Sequence, residues 1–196
     1  NVRELGCDFL AFSGHKMCGP TGIGALYARA EVLDAIPPWH GGGEMIVSVT
    51  LERSAFKKAP HRFEAGTPNI AGAIGLEAAI DYIEQIGRPA ILEHDTELAH
   101  YAMERLKELP GMRVLGPREE RGALVGFVMK SVHPHDLTTF ADRYGLALRG
   151  GHHCNQPLMR RFGLPGTTRA SFYFYNTKEE IDRMIEILSD AVRFFS

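Results

Sequence analysis

A glycine-rich loop with a single lysine joins two short apolar segments near the start of the chain. The loop, SGHKMCGPTGIG, covers residues 13–24, and the segments 7–12 and 23–28 beside it are typical of strands, the first of them buried. It lacks the Gly-Lys-Ser/Thr of a Walker loop, and a strand follows it instead of the helix of a dinucleotide-binding fold. Because ligands of α/β folds gather at the carboxyl ends of buried strands, Lys16 is expected near a ligand.

The loop alone leaves two interpretations of Lys16 open. A lysine that loses its proton through desolvation can form a covalent bond to the carbonyl carbon of a cofactor or substrate. A lysine that is simply solvated in a surface loop is the commoner case. The local pattern favours the solvated lysine but does not exclude the reactive one.

The middle of the chain changes to helical periodicity. Residues 54–69 are predicted to be a loop, and helices are predicted over 70–87 and 89–109. We expect a boundary between two domains inside the second helix. The resulting domains cover residues 1–93 and 94–196.

Strands and helices alternate in the last third of the chain. A helix is predicted over 135–145, and the final helix begins with a capping box in which Thr177 is the N-cap and Glu180 the third helical residue. Strands covered by helices on one side predict an α+β layer. The predicted strands are MRVLG (112–116), ALVGFVM (123–129), LALR (146–149) and ASFYFY (170–175).

Composition limits the partners of the chain. Its 196 residues carry a net charge of −2 without a block of Lys and Arg, so nothing predicts binding to nucleic acid or to an anionic membrane. No apolar run reaches the roughly 18 residues of a membrane-spanning helix. The three cysteines, Cys7, Cys18 and Cys154, share no short spacing. Their odd number argues against a disulfide framework and for a reducing, cytoplasmic compartment.

Cys154 follows two histidines in the glycine-rich segment ALRGGHHCNQPLM, residues 147–159. In an extended segment His152 and Cys154 share one face and His153 points away, which is a poor arrangement for a zinc site. A buried, inert thiol is the common fate of a free cysteine, but a polar loop is a poor place to bury one. A nearby His or Arg would favour the thiolate, so a nucleophile is the third interpretation.

Several segments along the chain resemble those of one protein family. They are SGHK with GPTGIGALY, then PPWHGGGEM, KAPHRFEAGTPN, RGGHHCNQPLM and RAS, in this order. Together they resemble the pyridoxal-phosphate (PLP) enzymes of the aspartate-aminotransferase fold, fold type I, and more narrowly the SufS-type, class II cysteine desulfurases. The resemblance implies an α/β chain that combines the later part of the large PLP-binding domain, 1–93, with the small C-terminal α+β domain, 94–196.

The resemblance also implies a cofactor site in the first domain. Lys16 matches the lysine that holds pyridoxal 5'-phosphate covalently. Ser13 and His15 match positions near the cofactor phosphate, which suits a hydroxyl and an imidazole N–H. Thr67, in AGTP, matches a phosphate contact that the family supplies across a homodimer interface, although the residue by itself is typical of a plain turn before proline.

The substrate and sulfur sites are implied in the second domain. Arg169 matches the arginine that binds the substrate carboxylate as a two-point fork. Arg149 matches an arginine ahead of the cysteine loop, where it polarises the loop or contacts substrate. Cys154 matches the nucleophile that takes up sulfur as a persulfide. No metal site is implied.

The resemblance therefore predicts conversion of L-cysteine to L-alanine, with sulfur passed on for iron–sulfur cluster assembly to an acceptor of SufU or SufE type. His135, in VHPHD, is a candidate contact with a zinc-bearing SufU-type acceptor, or else a solvated loop residue. A selenocysteine lyase, a related PLP lyase and a non-catalytic metal or scaffold fragment remain alternatives. The family's ring-stacking histidine and its aspartate on the pyridine nitrogen have no counterpart here, so we expect a piece of a longer chain.

Overall fold

The computed structural model describes residues 1–196 and divides at Gly87. Its two compact units are Asn1–Ile86, here unit 1, and Gly87–Ser196, here unit 2. Gly87 has a φ of 92° and lies between two long helices. The boundary expected from the sequence, at 93/94, falls within the second of these helices. The assignment of the units to the large and small domains of a PLP enzyme stays a prediction.

Unit 1 combines two small antiparallel sheets with three helices. In one sheet β1 pairs with β2, with Ser13 opposite Gly24, and in the other β3 pairs with β4. Two short 3₁₀ turns cover Gly14–Met17 and His61–Phe63. The elements in chain order are α1 (Val2–Leu5), β1 (Phe9–Ser13), β2 (Gly24–Ala28), α2 (Ala30–Ala35), β3 (Ile46–Val49), β4 (Ser54–Phe56) and α3 (Ile70–Ile86).

Two expectations for unit 1 are wrong. The strand predicted at 7–12 forms as β1, but it is not buried: Phe9 and Phe12 are 49% and 42% exposed, because β1 pairs only with β2 and forms no larger sheet. The loop predicted at 54–69 contains β4. A strand of three residues is too short to show the alternation that marks a strand in sequence.

Unit 2 contains the predicted α+β layer. Its sheet is antiparallel throughout, with the strand order β5-β6-β8-β7. No helix of the chain combines the length and apolarity that crossing a bilayer requires. The elements of unit 2 are α4 (Arg88–Lys107), β5 (Met112–Leu115), β6 (Leu124–Met129), α5 (Pro134–Asp142), β7 (Arg149–Gly151), α6 (Gln156–Phe162), β8 (Thr167–Ser171) and α7 (Lys178–Phe195).

A single hydrophobic core joins the sheet of unit 2 to its helices. The buried residues of β6 alternate along the strand, as expected for a sheet with one covered face. The capping box predicted for α7 is confirmed, since the Thr177 hydroxyl accepts from the Glu180 N–H and the Glu180 carboxylate accepts from the Thr177 N–H. The largest fully buried side chains of this core include Leu98, Leu106, Val125, Phe127, Ile181 and Leu188.

The two strands nearest the cysteine loop are displaced from their predicted positions. LALR contributes only Arg149 to β7, because residues 144–146 close the end of α5, with the Leu146 N–H donating to the Ala141 carbonyl. ASFYFY contributes only two residues to β8, because the Asn176 side chain accepts from the Tyr173 N–H and turns the chain. Helix α6 is absent from the sequence predictions.

Candidate active site

The lysine loop begins where β1 ends. Ser13 is the last residue of β1, and His15 and Lys16 lie in the 3₁₀ turn that follows, with both side chains exposed. None of the three side chains has a hydrogen bond or an ion pair within the chain. No acidic residue occurs between 9 and 28. An unpartnered amine beside a hydroxyl and an imidazole suits an aldehyde that carries a phosphate, so these residues fit PLP.

Glycines allow the lysine loop to rest directly on α3. The Gly14 N–H donates to the Ile23 carbonyl at 2.8 Å, and a Cβ at Gly14 would lie 3.3 Å from the Leu76 side chain. A Cβ at Gly75, in α3, would lie 2.6 Å from the Pro20 ring. The loop therefore packs against the helix at Gly14 and again at Pro20.

We expect Gly75→Ala to destabilise the protein although alanine is the better helix former. Overpacking against the Pro20 ring costs about 1–3 kcal/mol. Alanine in place of glycine inside a helix gains about 0.5–1 kcal/mol, so the free energy of unfolding is expected to fall by about 1 kcal/mol. Urea denaturation of the full-length protein that carries this chain measures the change. Gly41→Ala is the control, since a Cβ there meets no atom within 4 Å, and a stabilised Gly75→Ala would contradict the packing.

Thr67 lies in a second loop that is tied to the lysine loop. Asn69 donates from its side-chain amide to the Gly22 carbonyl at 3.2 Å and accepts from the Gly72 N–H at 2.9 Å. Thr67 is exposed two residues earlier, and no hydrogen bond joins it to Ser13, His15 or Lys16. Its phosphate contact stays a prediction.

Cys154 lies in the turn between β7 and α6, with its side chain exposed. The Nη2 atom of Arg149 lies 3.5 Å from its Sγ, within reach of a weak N–H···S hydrogen bond. The extended conformation predicted for this segment is wrong. His153 and Cys154 have φ values of 53° and 61°, because the chain must reverse after β7 before Asn155 caps α6. The argument from alternating faces therefore does not apply here.

Strand register places the two predicted substrate arginines together. Arg149 of β7 and Arg169 of β8 lie directly opposite each other. Neither forms an ion pair with a carboxylate, and the Nε of Arg169 is buried without a partner. Like charges directly opposite in a sheet are destabilising. An anion bound between them would relieve this repulsion, so the pair is a candidate anion site. Arg149 and Cys154 also line an open cleft of 630 Å³.

His153 attaches the cysteine loop to β8. Its Nε2 lies 3.0 Å from the carbonyl oxygen and 2.8 Å from the hydroxyl of Thr167. Burial lowers the pKa of His153 most, and the charges of Arg169 and Arg149 lower it further, whereas the bond to Thr167 raises it. The imidazole is thus neutral near pH 7. The sequence marks His153 only as a possible metal ligand, and no group of three His, Cys, Asp or Glu is placed to hold a metal ion.

Comparison with known proteins decides the family. The model of the aminotransferase class-V family matches residues 1–184. This chain belongs to the aminotransferase class-V family. Among relatives of this class-V chain, a probable cysteine desulfurase of Streptomyces coelicolor is 51% identical over 197 residues, which are 100% of this chain and 47% of the relative. A cysteine desulfurase of Haloferax volcanii is 47% identical over 197 residues, which are 100% of this chain and 46% of the relative. The chain spans about half the length of the curated relatives it matches.

Solved structures confirm the predicted PLP-dependent α/β fold of the class-V chain. The apo cysteine desulfurase of Thermococcus onnurineus matches with a TM-score of 0.93 at 43% identity, over 98% of this chain and 49% of that one. The cysteine desulfurase CsdA of Escherichia coli, in an S-sulfonic acid form, matches with a TM-score of 0.91 at 41% identity, over 98% and 48%. A cystine C–S lyase, at 24% identity and a TM-score of 0.80, shows the shared fold alone.

The other cysteines of the class-V chain are placed differently from Cys154. Cys7, predicted to serve packing, is half-buried, with its Sγ 4.0 Å from the Val2 carbonyl. Cys18 is exposed and ends the 3₁₀ turn after Lys16 in a left-handed conformation, with a φ of 61°. Neither has a cationic side chain within hydrogen-bond distance of its sulfur.

Exposed histidines outside the cysteine loop include His40, His133 and His135. His133 caps α5, where its Nδ1 accepts from the His135 N–H at 3.2 Å, and the His135 side chain is exposed. The ring of His40 stacks on that of Trp39, with centroids 3.8 Å apart. The contact predicted between His135 and an acceptor stays a prediction.

Proposed function

We propose that the protein carrying this chain is a PLP-dependent cysteine desulfurase, which converts L-cysteine to L-alanine and retains the sulfur as a persulfide on Cys154. The observation that supports this activity best is the exposed Cys154 thiol, whose Sγ lies 3.5 Å from the Nη2 of Arg149. Arg149 in turn lies directly opposite Arg169 in the paired strands β7 and β8. Relatives up to 54% identical that are named cysteine desulfurases support the same activity.

The first unit supplies the groups that hold the cofactor. Lys16 would bind its aldehyde carbon, and Ser13, His15 and Thr67 would donate hydrogen bonds to its phosphate. When bound, PLP stabilises negative charge at the substrate Cα. Once the substrate amine has replaced it at the aldehyde carbon of the cofactor, the amine of Lys16 would be free to take the Cα proton, a role that suits a lysine without an ion-pair partner.

The second unit supplies the groups that act on the substrate. Arg169 would bind the substrate carboxylate through two parallel hydrogen bonds. The Cys154 thiolate, beside the positive charge of Arg149, attacks the substrate sulfur. A sulfur–sulfur bond forms while the Cβ–sulfur bond breaks, and the electron pair of that bond stays with Cβ. The substrate's thiol proton balances the proton that Cβ gains, so the products are alanine and an enzyme persulfide anion.

The persulfide then needs an acceptor. We propose an acceptor protein of SufU or SufE type and a role in iron–sulfur cluster assembly, with the exposed His135 as the candidate contact of a zinc-bearing acceptor. We also propose a cytoplasmic homodimer in which Thr67 reaches the partner's cofactor.

The activity is tested with the natural-length polypeptide loaded with PLP. L-cysteine should yield alanine and, with a reducing thiol, an equal amount of sulfide. After one turnover without reductant, peptide mass spectrometry should find one extra sulfur on Cys154 and none on Cys7 or Cys18. Equal labelling of all three cysteines, or turnover of selenocysteine alone, would reject the proposal and favour a selenocysteine lyase or a related PLP lyase. Bound zinc without PLP would favour a metal or scaffold fragment.

A further inference from the structure

We propose that His153 is a positioning residue: it anchors the cysteine loop to β8 through Thr167 and thereby holds the Cys154 thiol beside Arg149. The inference rests on the proposed function, because it concerns the geometry of the sulfur-accepting thiol. His153 itself touches neither the thiol nor the arginine through a hydrogen bond. Its action is therefore through the backbone that it shares with Cys154.

The backbone of the cysteine loop requires such an anchor. His153 and Cys154 are consecutive non-glycine residues with φ values of 53° and 61°. The left-handed conformation costs an L-residue about 1–2 kcal/mol, and it persists only where surrounding contacts enforce it. Two such residues in a row point to an enforcing contact within the loop.

The contact of His153 with Thr167 meets this requirement. Because a carbonyl oxygen only accepts, the Nε2 of His153 that lies 3.0 Å from it must carry the hydrogen. The Nδ1 is then bare, and it is buried without a partner. Thr167 is only 3% exposed and pairs with Gly151 in the sheet, so the anchor is part of a rigid element.

The remaining contacts of the loop close its turn and fix its two ends, but they do not attach the turn to β8: the Asn155 N–H donates to the His152 carbonyl at 2.9 Å. A Cβ at Gly150, in β7, would lie 2.8 Å from the Pro134 carbonyl oxygen, so the strand before the loop packs closely on the start of α5. After the loop, the Asn155 side chain caps α6 by accepting from the Leu158 N–H. Apart from the long contact of Arg149 with the Cys154 Sγ, which is the geometry to be held, only His153 connects the residues between these ends to the sheet by a side-chain hydrogen bond. Without it, the turn that contains His153 and Cys154 is free to move relative to β8.

Because His153 is neutral near pH 7, its role in positioning the thiol can be tested separately from any effect of its charge. Burial holds its pKa below the ordinary value, so the ring adds no positive charge near pH 7. The cation beside the thiol is therefore Arg149, and the effect of replacing His153 should depend on its hydrogen-bond donor and not on its charge. Glutamine can place an N–H where the Nε2 lies, whereas asparagine reaches only the Nδ1 position.

The test compares His153→Ala, His153→Gln and His153→Asn in the natural-length, PLP-loaded polypeptide. We expect His153→Ala and His153→Asn to lower kcat for L-cysteine by roughly 10- to 100-fold, with KM changed less than about 3-fold, because the thiol is misplaced while Arg169 still binds substrate. His153→Gln should stay within about 3-fold of the parent kcat. Rescue by asparagine instead of glutamine, or a parent-like His153→Ala, would overturn the proposal.

A second readout requires no turnover. Iodoacetamide labelling, followed by peptide mass spectrometry, gives the rate at Cys154 relative to the exposed Cys18. This ratio should fall by about 3-fold or more in His153→Ala, since the thiolate loses its place beside Arg149, and it should recover in His153→Gln. If the parent protein fails to desulfurate cysteine, the proposed function fails, but the labelling ratios still decide the role of His153.

The matched control is His94→Ala. His94 is also half-buried, and its Nε2 lies 3.0 Å from the Asn176 carbonyl, so its loss removes a bond of the same kind elsewhere in unit 2. It should leave both kcat and the labelling ratio unchanged, and an equal fall in His94→Ala would overturn the proposal. If His153→Ala does not fold, Thr167→Val serves instead: it removes the hydroxyl contact but keeps the carbonyl, so a smaller loss of kcat in the same direction is expected.

Discussion

Lys16→Ala is expected to lower cysteine turnover by at least about 1,000-fold, because one amine is proposed both to bind the cofactor and to move the Cα proton. The variant should also lose covalently bound PLP. After borohydride reduction, mass spectrometry of the parent protein should find the cofactor on the peptide that contains Lys16, and on no other peptide. This is the largest effect expected in unit 1. Because the Lys16 side chain has no partner within the chain, its removal breaks no hydrogen bond or ion pair of the fold.

Two further variants separate the amine of Lys16 from its charge. Lys16→Arg keeps a positive charge but cannot bind the cofactor carbon, so it should be as inactive as Lys16→Ala. Lys107→Ala removes an exposed lysine whose ion pair with Glu104 lies on the surface of α4, and it should keep parent activity. Reduced cofactor found on another lysine, or activity retained in Lys16→Arg, would contradict the assignment of Lys16.

Cys154→Ala is expected to lower turnover of L-cysteine by at least about 100-fold, because it removes the only nucleophile beside Arg149. Cys154→Ser should be equally impaired, since a hydroxyl is not ionised at neutral pH and is a poor acceptor of sulfur. The cofactor spectrum should be retained in both variants, because the residues proposed to hold PLP lie in unit 1. Steady-state production of alanine, measured at saturating substrate, gives the loss.

The same variant distinguishes the two related activities. Elimination of selenium depends less on an enzyme thiol, so Cys154→Ala should retain more of its turnover of selenocysteine than of cysteine. Cys18→Ala is the control, because Cys18 is also exposed but has no arginine beside its sulfur. Full turnover of cysteine in Cys154→Ala would rule out a desulfurase that works through this thiol.

Features set by neighbours in sequence were predictable. The strand–loop–strand order around Lys16, the long helices and the capping box of Thr177 and Glu180 depend on residues within a few positions of one another. The ordered motifs were specific enough to indicate the fold and the candidate residues Lys16, Cys154 and Arg169. Even α6 left a local signal, since Asn155 and Gly163 cap its two ends.

Features set by strand register were not predictable. Arg149 and Arg169 are 20 positions apart in the sequence, yet β7 and β8 place them opposite each other. The bond from His153 to Thr167 likewise depends on that pairing. Alternation along an extended chain assigned the wrong geometry to residues 152–154, because the reversal into α6 requires left-handed residues that alternation ignores.

The physical reason for this division is the range of the interactions. Capping, glycine turns and hydrophobic periodicity act over a few residues, so they determine which chemical groups the chain offers: an amine after a strand, a thiol in a polar turn, two arginines. The distances between those groups depend on hydrogen bonds across the sheet between residues far apart in the chain. Only the folded sheet of unit 2 decided that a cation lies beside the thiol and that a neutral histidine holds its loop.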